Sequence, residues 1–221
     1  MYGKNAFMPM VKKSVMAGAF IALGAMFSMA VAQYGNLAQG ICFSVGLFGV
    51  LCCNAKLFTG SILTVQSAWD NRTTYKELFA SLASIWSFNL VGAVILALMA
   101  SQTHFDASMI ATAKSQLPCH ELFIRSVLCN VMVCFAVWAY KKSACGKNRL
   151  VDVASACVLP VACFVACGFE HSIADMFYMS LGMMQGAVSP ISFAYVICVA
   201  TIGNVVGGVV FSWLAYDRSD S

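Results

Sequence analysis

A chain of 221 residues that is 61% hydrophobic and 10% charged, with a mean hydropathy of +0.81, cannot cover itself with water-loving groups. Soluble domains carry about 25% charged residues, so the composition excludes them and points to an all-α integral membrane protein. The net charge of +4 is dispersed among loops and span ends, which excludes a basic nucleic-acid surface.

A span needs about 20 apolar residues. Residues 1–13 read as a basic, amphipathic cytoplasmic helix lying on the membrane, with no cleavage site of a signal peptide. Six spans follow, roughly at 14–32, 38–67, 78–101, 120–140, 150–180 and 188–215. The first is rich in small residues that let helices approach. The second is too long for one straight span, and Lys56, Thr59 and Gly60 interrupt it. The third carries Asn89-Leu90-Val91-Gly92, and the loop from Gln102 to Cys119 is the longest connection. The fourth contains Asn130, with Glu121 and Arg125 spaced as an ion pair along one helix face. The fifth is again too long and is interrupted at Gly168-Phe169-Glu170-His171-Ser172. The sixth holds Gly203-Asn204-Val205-Val206-Gly207. Backbone polar groups in hydrocarbon need partners, so a helix is broken there only where protein or a water-filled cavity surrounds it. Paired broken segments are a pointer to a transport site at the midplane.

With six spans and the N-terminus inside, Lys4, Lys12, Lys13, Arg72, Lys76, Lys141, Lys142, Lys147, Arg149 and Arg218 fall inside, and Lys114 alone falls outside. This bias places both termini in the cytoplasm and the protein in the cell (inner) membrane. Trp69, Trp138, Tyr140, Trp213 and Tyr216 mark the inner interface. Nine of the eleven cysteines lie within spans, with no Cys-x-x-Cys and no zinc spacing. They read as reduced packing residues, and neither a metal nor a cofactor is expected.

The two halves, 14–101 and 120–215, echo one another within a single channel domain spanning 1–221. Ser14-Val15 recurs as Ser126-Val127, Thr59 aligns with His171, and Asn89-Leu90-Val91-Gly92 recurs as Asn204-Val205-Val206-Gly207. The order is conserved between halves and the offset is nearly constant. Three spans per half then require opposite orientations, an inverted 3+3 repeat.

Leu57-Phe58-Thr59-Gly60, Gly168-Phe169-Glu170-His171-Ser172-Ile173-Ala174 and the asparagine motifs of spans three, four and six carry a resemblance that covers nearly the whole chain. The sequence resembles the formate/nitrite transporter family, which includes hydrosulfide channels and has an aquaporin-like arrangement. The resemblance implies a homopentamer with a pore in each protomer for formate, nitrite or hydrosulfide. It places the central polar pair at Thr59 and His171, the outer-vestibule lysine at Lys114, and the constrictions at Leu47, Leu57 and Phe58 inside and Phe43 and Phe164 outside. The chain departs from the family pattern at Lys56, where an acid is usual, at Asp175, where Asn is usual, and near Ser180, where a Pro is expected.

Half-helix N-termini suit an anion, and Lys114 and Lys56 would concentrate anions at the mouths. His171, with an unperturbed pKa of about 6.5, is expected to lend a proton so that the permeant crosses neutral. Each residue also has a plainer reading. His171 could simply be bonded within the bundle, Thr59 could bond its own helix, and Glu170 could orient His171 or line a subunit contact. Asn89, Asn130 and Asn204 read as interhelical hydrogen-bonding groups. No nucleophile–base pair or phosphate loop is present, so no enzyme is expected. A proton-coupled symporter, a membrane thiol enzyme and a neutral-solute channel remain open alternatives.

Overall fold

The computed structural model of the chain describes residues 4–143 and 149–216. Among the described residues there are ten α-helices, two short 3₁₀ turns and no strand. The helices are α1 (Lys4–Ala30), α2 (Asn36–Cys52), α3 (Phe58–Ser61), α4 (Val65–Trp69), α5 (Tyr75–Ala100), α6 (Ser108–Ser115), α7 (Cys119–Ser143), α8 (Arg149–Ala166), α9 (Ser172–Met184) and α10 (Pro190–Leu214). A 3₁₀ turn, Ile62–Thr64, joins α3 to α4.

Four helices are long and apolar enough to cross a membrane: α1 from Phe7, α5, α7 to Lys142, and α10. The apolar helix α2 and the Val153–Ala166 part of α8 are shorter. The segment 1–13, expected as a separate surface helix, is from Lys4 onward the first part of α1, which runs unbroken through Pro9.

The ends of the long helices follow from local sequence. Thr74 caps α5 through a reciprocal pair with Glu77, satisfying two donors that a helix start leaves open. Ser189 caps α10, with Pro190 as its first residue, where the missing N–H costs nothing.

Two helix pairs form the long walls, α1 with α5 and α7 with α10. Each closes at a glycine. A Cβ on Gly92 would stand 2.0 Å from the Val15 carbonyl oxygen, and one on Gly207 would stand 2.1 Å from that of Val127. No other residue fits such an approach. Between the walls, α2 packs on α8, and α9 packs on α5, α6, α10 and α1. Every residue of α9 from Ser172 to Gly182 is buried. At the other end of the fold Trp69 meets Tyr216 edge-on at 5.3 Å. Gln66 Nε2 donates to the Ser212 carbonyl at 2.9 Å, tying α4 to the end of α10.

Candidate functional site

Two non-helical junctions, 53–57 and 167–171, organise the centre, and they are built alike. Helix α2 ends with Asn54 in the left-handed region (φ 48°), and α8 ends with Gly168 there (φ 66°). After each, a reversed pair of bonds closes the helix: Ala55 N–H to Val50 O at 2.8 Å and Phe169 N–H to Phe164 O at 2.9 Å. This is the six-to-one closure of a helix C-terminus. The chain then leans on the neighbouring long helix. Lys56 N–H donates to Lys13 O at 3.1 Å, and Glu170 N–H to Arg125 O at 3.3 Å.

An asparagine clamps each junction. Asn89 Oδ1 accepts from Phe58 N–H at 2.8 Å, while its Nδ2 donates to Ser14 O at 2.7 Å and Lys56 O at 2.9 Å. Asn204 Oδ1 accepts from Ser172 N–H at 2.8 Å, and its Nδ2 donates to Ser126 O at 2.8 Å and Glu170 O at 3.0 Å. Both side chains are fully buried. Each supplies three bonds to backbone groups that would otherwise be orphaned, a loss of about 1–3 kcal/mol apiece. The expected interhelical role of these asparagines is therefore specific: they hold the chain ends at the junctions. By this pattern Leu57, not Thr59, is the counterpart of His171, since both precede the first residue of a helix. The alignment of Thr59 with His171 reflects contact in space, not equivalence in the backbone.

That contact is the centre of the site. Thr59 Oγ1 lies 3.0 Å from His171 Nε2, with Thr59 at 0% and His171 at 3% exposure. His171 Nδ1 accepts the Ala174 N–H at 3.2 Å, capping α9. With Nδ1 occupied as an acceptor, the ring proton belongs on Nε2, facing Thr59. Asn130 Nδ2 donates to Asn204 O at 2.7 Å and to Thr59 O at 3.3 Å, and Cys134 Sγ reaches the same Thr59 carbonyl at 3.5 Å. Asn130 thus joins the two clamps instead of standing alone.

Two phenyl rings cover this pair. Phe164 stacks on the His171 ring at 6.0 Å, and Phe43 meets Phe164 edge-on at 5.8 Å. Both rings line a cavity of about 450 Å³, together with Lys114, Glu170, His171 and Asp175. Leu47, Leu57 and Phe58 are buried and do not line that cavity, and Lys56 is exposed and lies apart from it.

Lys114 does not sit as a free cation at a mouth. It is mostly buried, bonded to the Glu170 carboxylate and 2.9 Å from Asp175 Oδ1. Its ammonium also lies 5.5 Å from the centre of the Tyr178 ring. Nearer the cavity rim, Arg125 pairs with Glu121, as their spacing implied, and donates to Gly168 O at 3.2 Å. Asp175 and Tyr178 escaped the sequence reading as site residues. Their spacing carried a signal, because Asp175 stands four residues after His171 and Tyr178 three further on, one helix face. Of the cysteines, Cys129, Cys134 and Cys157 are buried as packing residues, whereas Cys53, Cys119, Cys163, Cys167 and Cys198 are exposed on the chain. Among the described residues no His, Cys, Asp or Glu cluster could hold a metal.

The family model for formate/nitrite transporters matches residues 3–217. The chain belongs to the formate/nitrite transporter family. Among curated members, it is 32% identical to the formate channel FocA of Escherichia coli strain K12, over 92% of this chain and 83% of that one. It is 30% identical to the nitrite transporter NirC of Salmonella typhimurium, over 92% and 80%. A solved FNT family ion channel superposes with a TM-score of 0.88 at 26% identity, covering 96% of this chain and 92% of the other. A pentameric formate channel with formate bound superposes at 0.78 and 25% identity, over 96% and 97%. Membership of this family makes the chain a membrane transport protein and not an enzyme.

Proposed function

We propose that the chain is a channel for the small monovalent anions of weak acids, formate, nitrite and hydrosulfide, across the cell (inner) membrane. The observation that carries this reading is the buried Thr59–His171 pair, whose imidazole lines a cavity beside the Phe43 and Phe164 rings. The names of the relatives, formate channel and nitrite transporter, point the same way. The pentameric formate channel among the structural neighbours supports a homopentamer with a pore in each protomer. The duplicated junctions support six spans in an inverted 3+3 repeat, with α2–α4 and α8–α9 as the two broken spans and both termini cytoplasmic.

The chemistry follows from desolvation. An anion loses its water at the phenyl rings, at a cost no apolar wall repays. The N-terminus of α9 offers positive partial charge, and with His171 Nε2–H donating to Thr59 Oγ1 the Thr59 hydroxyl proton is left for the anion, or the Nε2–H itself once the anion displaces Thr59. Leu47, Leu57 and Phe58 form the inner constriction in this reading, and Lys56 stands at the inner mouth. His171 acts as a hydrogen-bond donor: releasing its Nε2 proton while Nδ1 caps α9 would leave an imidazolate. A proton for the permeant then has to come from another group.

Flux of formate, nitrite and hydrosulfide into liposomes holding the purified protein, across about pH 5 to 8, tests the reading. Passage of at least one of them, reduced by more than tenfold in His171→Phe, is expected. Absence of flux for all three sinks it.

A further inference from the structure

The outer cavity holds two acids on one base. Glu170 and Asp175 both contact the Lys114 ammonium, and they are 4% and 0% exposed. Among the described residues no backbone N–H or hydroxyl donates to either Asp175 oxygen; its polar contacts are the Lys114 ammonium and the Glu170 carboxyl. With both acids ionised, the group would carry an uncompensated negative charge in a buried place, which is costly. Two carboxylates in one site resist joint ionisation and titrate as a pair.

Among the described residues no second cation pairs with these acids, since Arg125, which lines the same cavity, pairs with Glu121. On α9 Tyr178 faces Lys114, and the α9 cap His171, a neutral hydrogen-bond donor, lines the same cavity. Helix α7 brings Cys129 near the group and the Arg125–Glu121 pair at the rim. Helix α1 brings Ser28 to the same cavity, with Lys12 and Lys13 far along it beside the other junction. Helices α3 and α10 carry no Asp, Glu, Lys, Arg or His. The charges of α5, Lys76 and Glu77, lie in its first turn, about three turns before Asn89.

We propose that Glu170 and Asp175 share one exchangeable proton beside Lys114, and that this carboxyl pair protonates the weak-acid anion arriving in the outer cavity. The identity of the acceptor rests on the anion-channel reading above; the shared proton stands on the three side chains alone. In the step, the acid O–H bond breaks and its electrons stay on the carboxylate. The proton joins a lone pair of the formate or nitrite oxygen or the hydrosulfide sulfur. The group passes from neutral to one negative charge and the permeant from one negative charge to neutral. Water at the cavity mouth returns the proton. The permeant then meets the Phe43–Phe164 rings as a neutral acid, with His171 as hydrogen-bond donor beyond them.

The test uses the full-length protein in liposomes without permeant anion, followed by infrared spectroscopy of the protonated-carboxyl C=O stretch from about pH 5 to 8. The wild type is expected to keep this band at neutral pH, and Asp175→Asn and Glu170→Gln are each expected to lose it, because one acid then pairs with one lysine. Formate flux should rise as pH falls in the wild type and lose that dependence in Asp175→Asn. No band in the wild type at neutral pH overturns the shared proton, whatever the flux. A band together with unaltered pH dependence in Asp175→Asn overturns the donor role. A band with no flux of any of the three anions removes the channel reading and the donor role with it, leaving the shared proton in place.

Discussion

The junctions at 53–57 and 167–171 have the same backbone and opposite side-chain chemistry. Each has a left-handed residue after a helix, a reversed closing bond, a lean on a long helix and an asparagine clamp. Yet the first presents Lys56, exposed, and Leu57, buried, where the second presents Glu170 and His171, both buried. The shared half of that description is what it takes to interrupt a helix without orphaning polar groups. The unshared half sets the two apart, since the acids, the imidazole and the lysine they hold all gather at one junction. Architecture was kept in duplicate while chemistry was concentrated on one side.

The sharpest way to break the comparison is to remove the clamps. Asn89→Leu and Asn204→Leu each strand three backbone groups, at about 1–3 kcal/mol per group, so each should lose several kcal/mol in thermal unfolding of the purified protein. Similar losses at both sites are expected; a silent substitution at one would show that the junctions are not held alike. A smaller effect belongs to the glycines at the wall crossings. Gly92→Ala and Gly207→Ala place a Cβ about 2 Å from a carbonyl oxygen, and the helices must part at about 1–3 kcal/mol. The melting temperature should fall comparably for both. Smallest is the pair of left-handed residues. Gly168→Ala should cost about 1 kcal/mol, whereas Asn54→Gly should cost less, since Gly takes the left-handed conformation freely, which differential scanning measurements can separate.

Much of this was legible in the residues, and the reasons are physical. Charged and small polar groups inside apolar runs can only mark interruptions, so Lys56–Gly60 and Gly168–Ser172 announced the junctions. The pairing of Thr59 with His171 came from the resemblance, and the structure brings the two side chains within 3.0 Å. The register was misread because side-chain identity was compared, and Thr59 resembles His171 in polarity while Leu57 shares its place. Lys114 lines the cavity, in keeping with the vestibule position the resemblance implies, but its pairing was not legible. Its loop position suggested exposure, and nothing local to residue 114 reveals that two acids from another helix region close around it. Asp175 was noticed only as a departure from a pattern, although its place four residues beyond His171 set it on the same face. The continuity of α1 through Pro9 was hidden by the cluster of basic residues, which looked like a boundary and is only a charged first stretch of a long helix.

The asparagine clamps also impose an order of assembly. Asn89 lies 31 residues beyond Phe58, and Asn204 lies 32 beyond Ser172. During synthesis each junction therefore emerges before the helix that completes it. A junction held in hydrocarbon without its clamp would leave polar backbone exposed, so α3 and α9 can settle to final depth only once α5 and α10 respectively have entered beside them. The nascent chain must shelter each short helix in the interim, and the second half repeats the delay of the first.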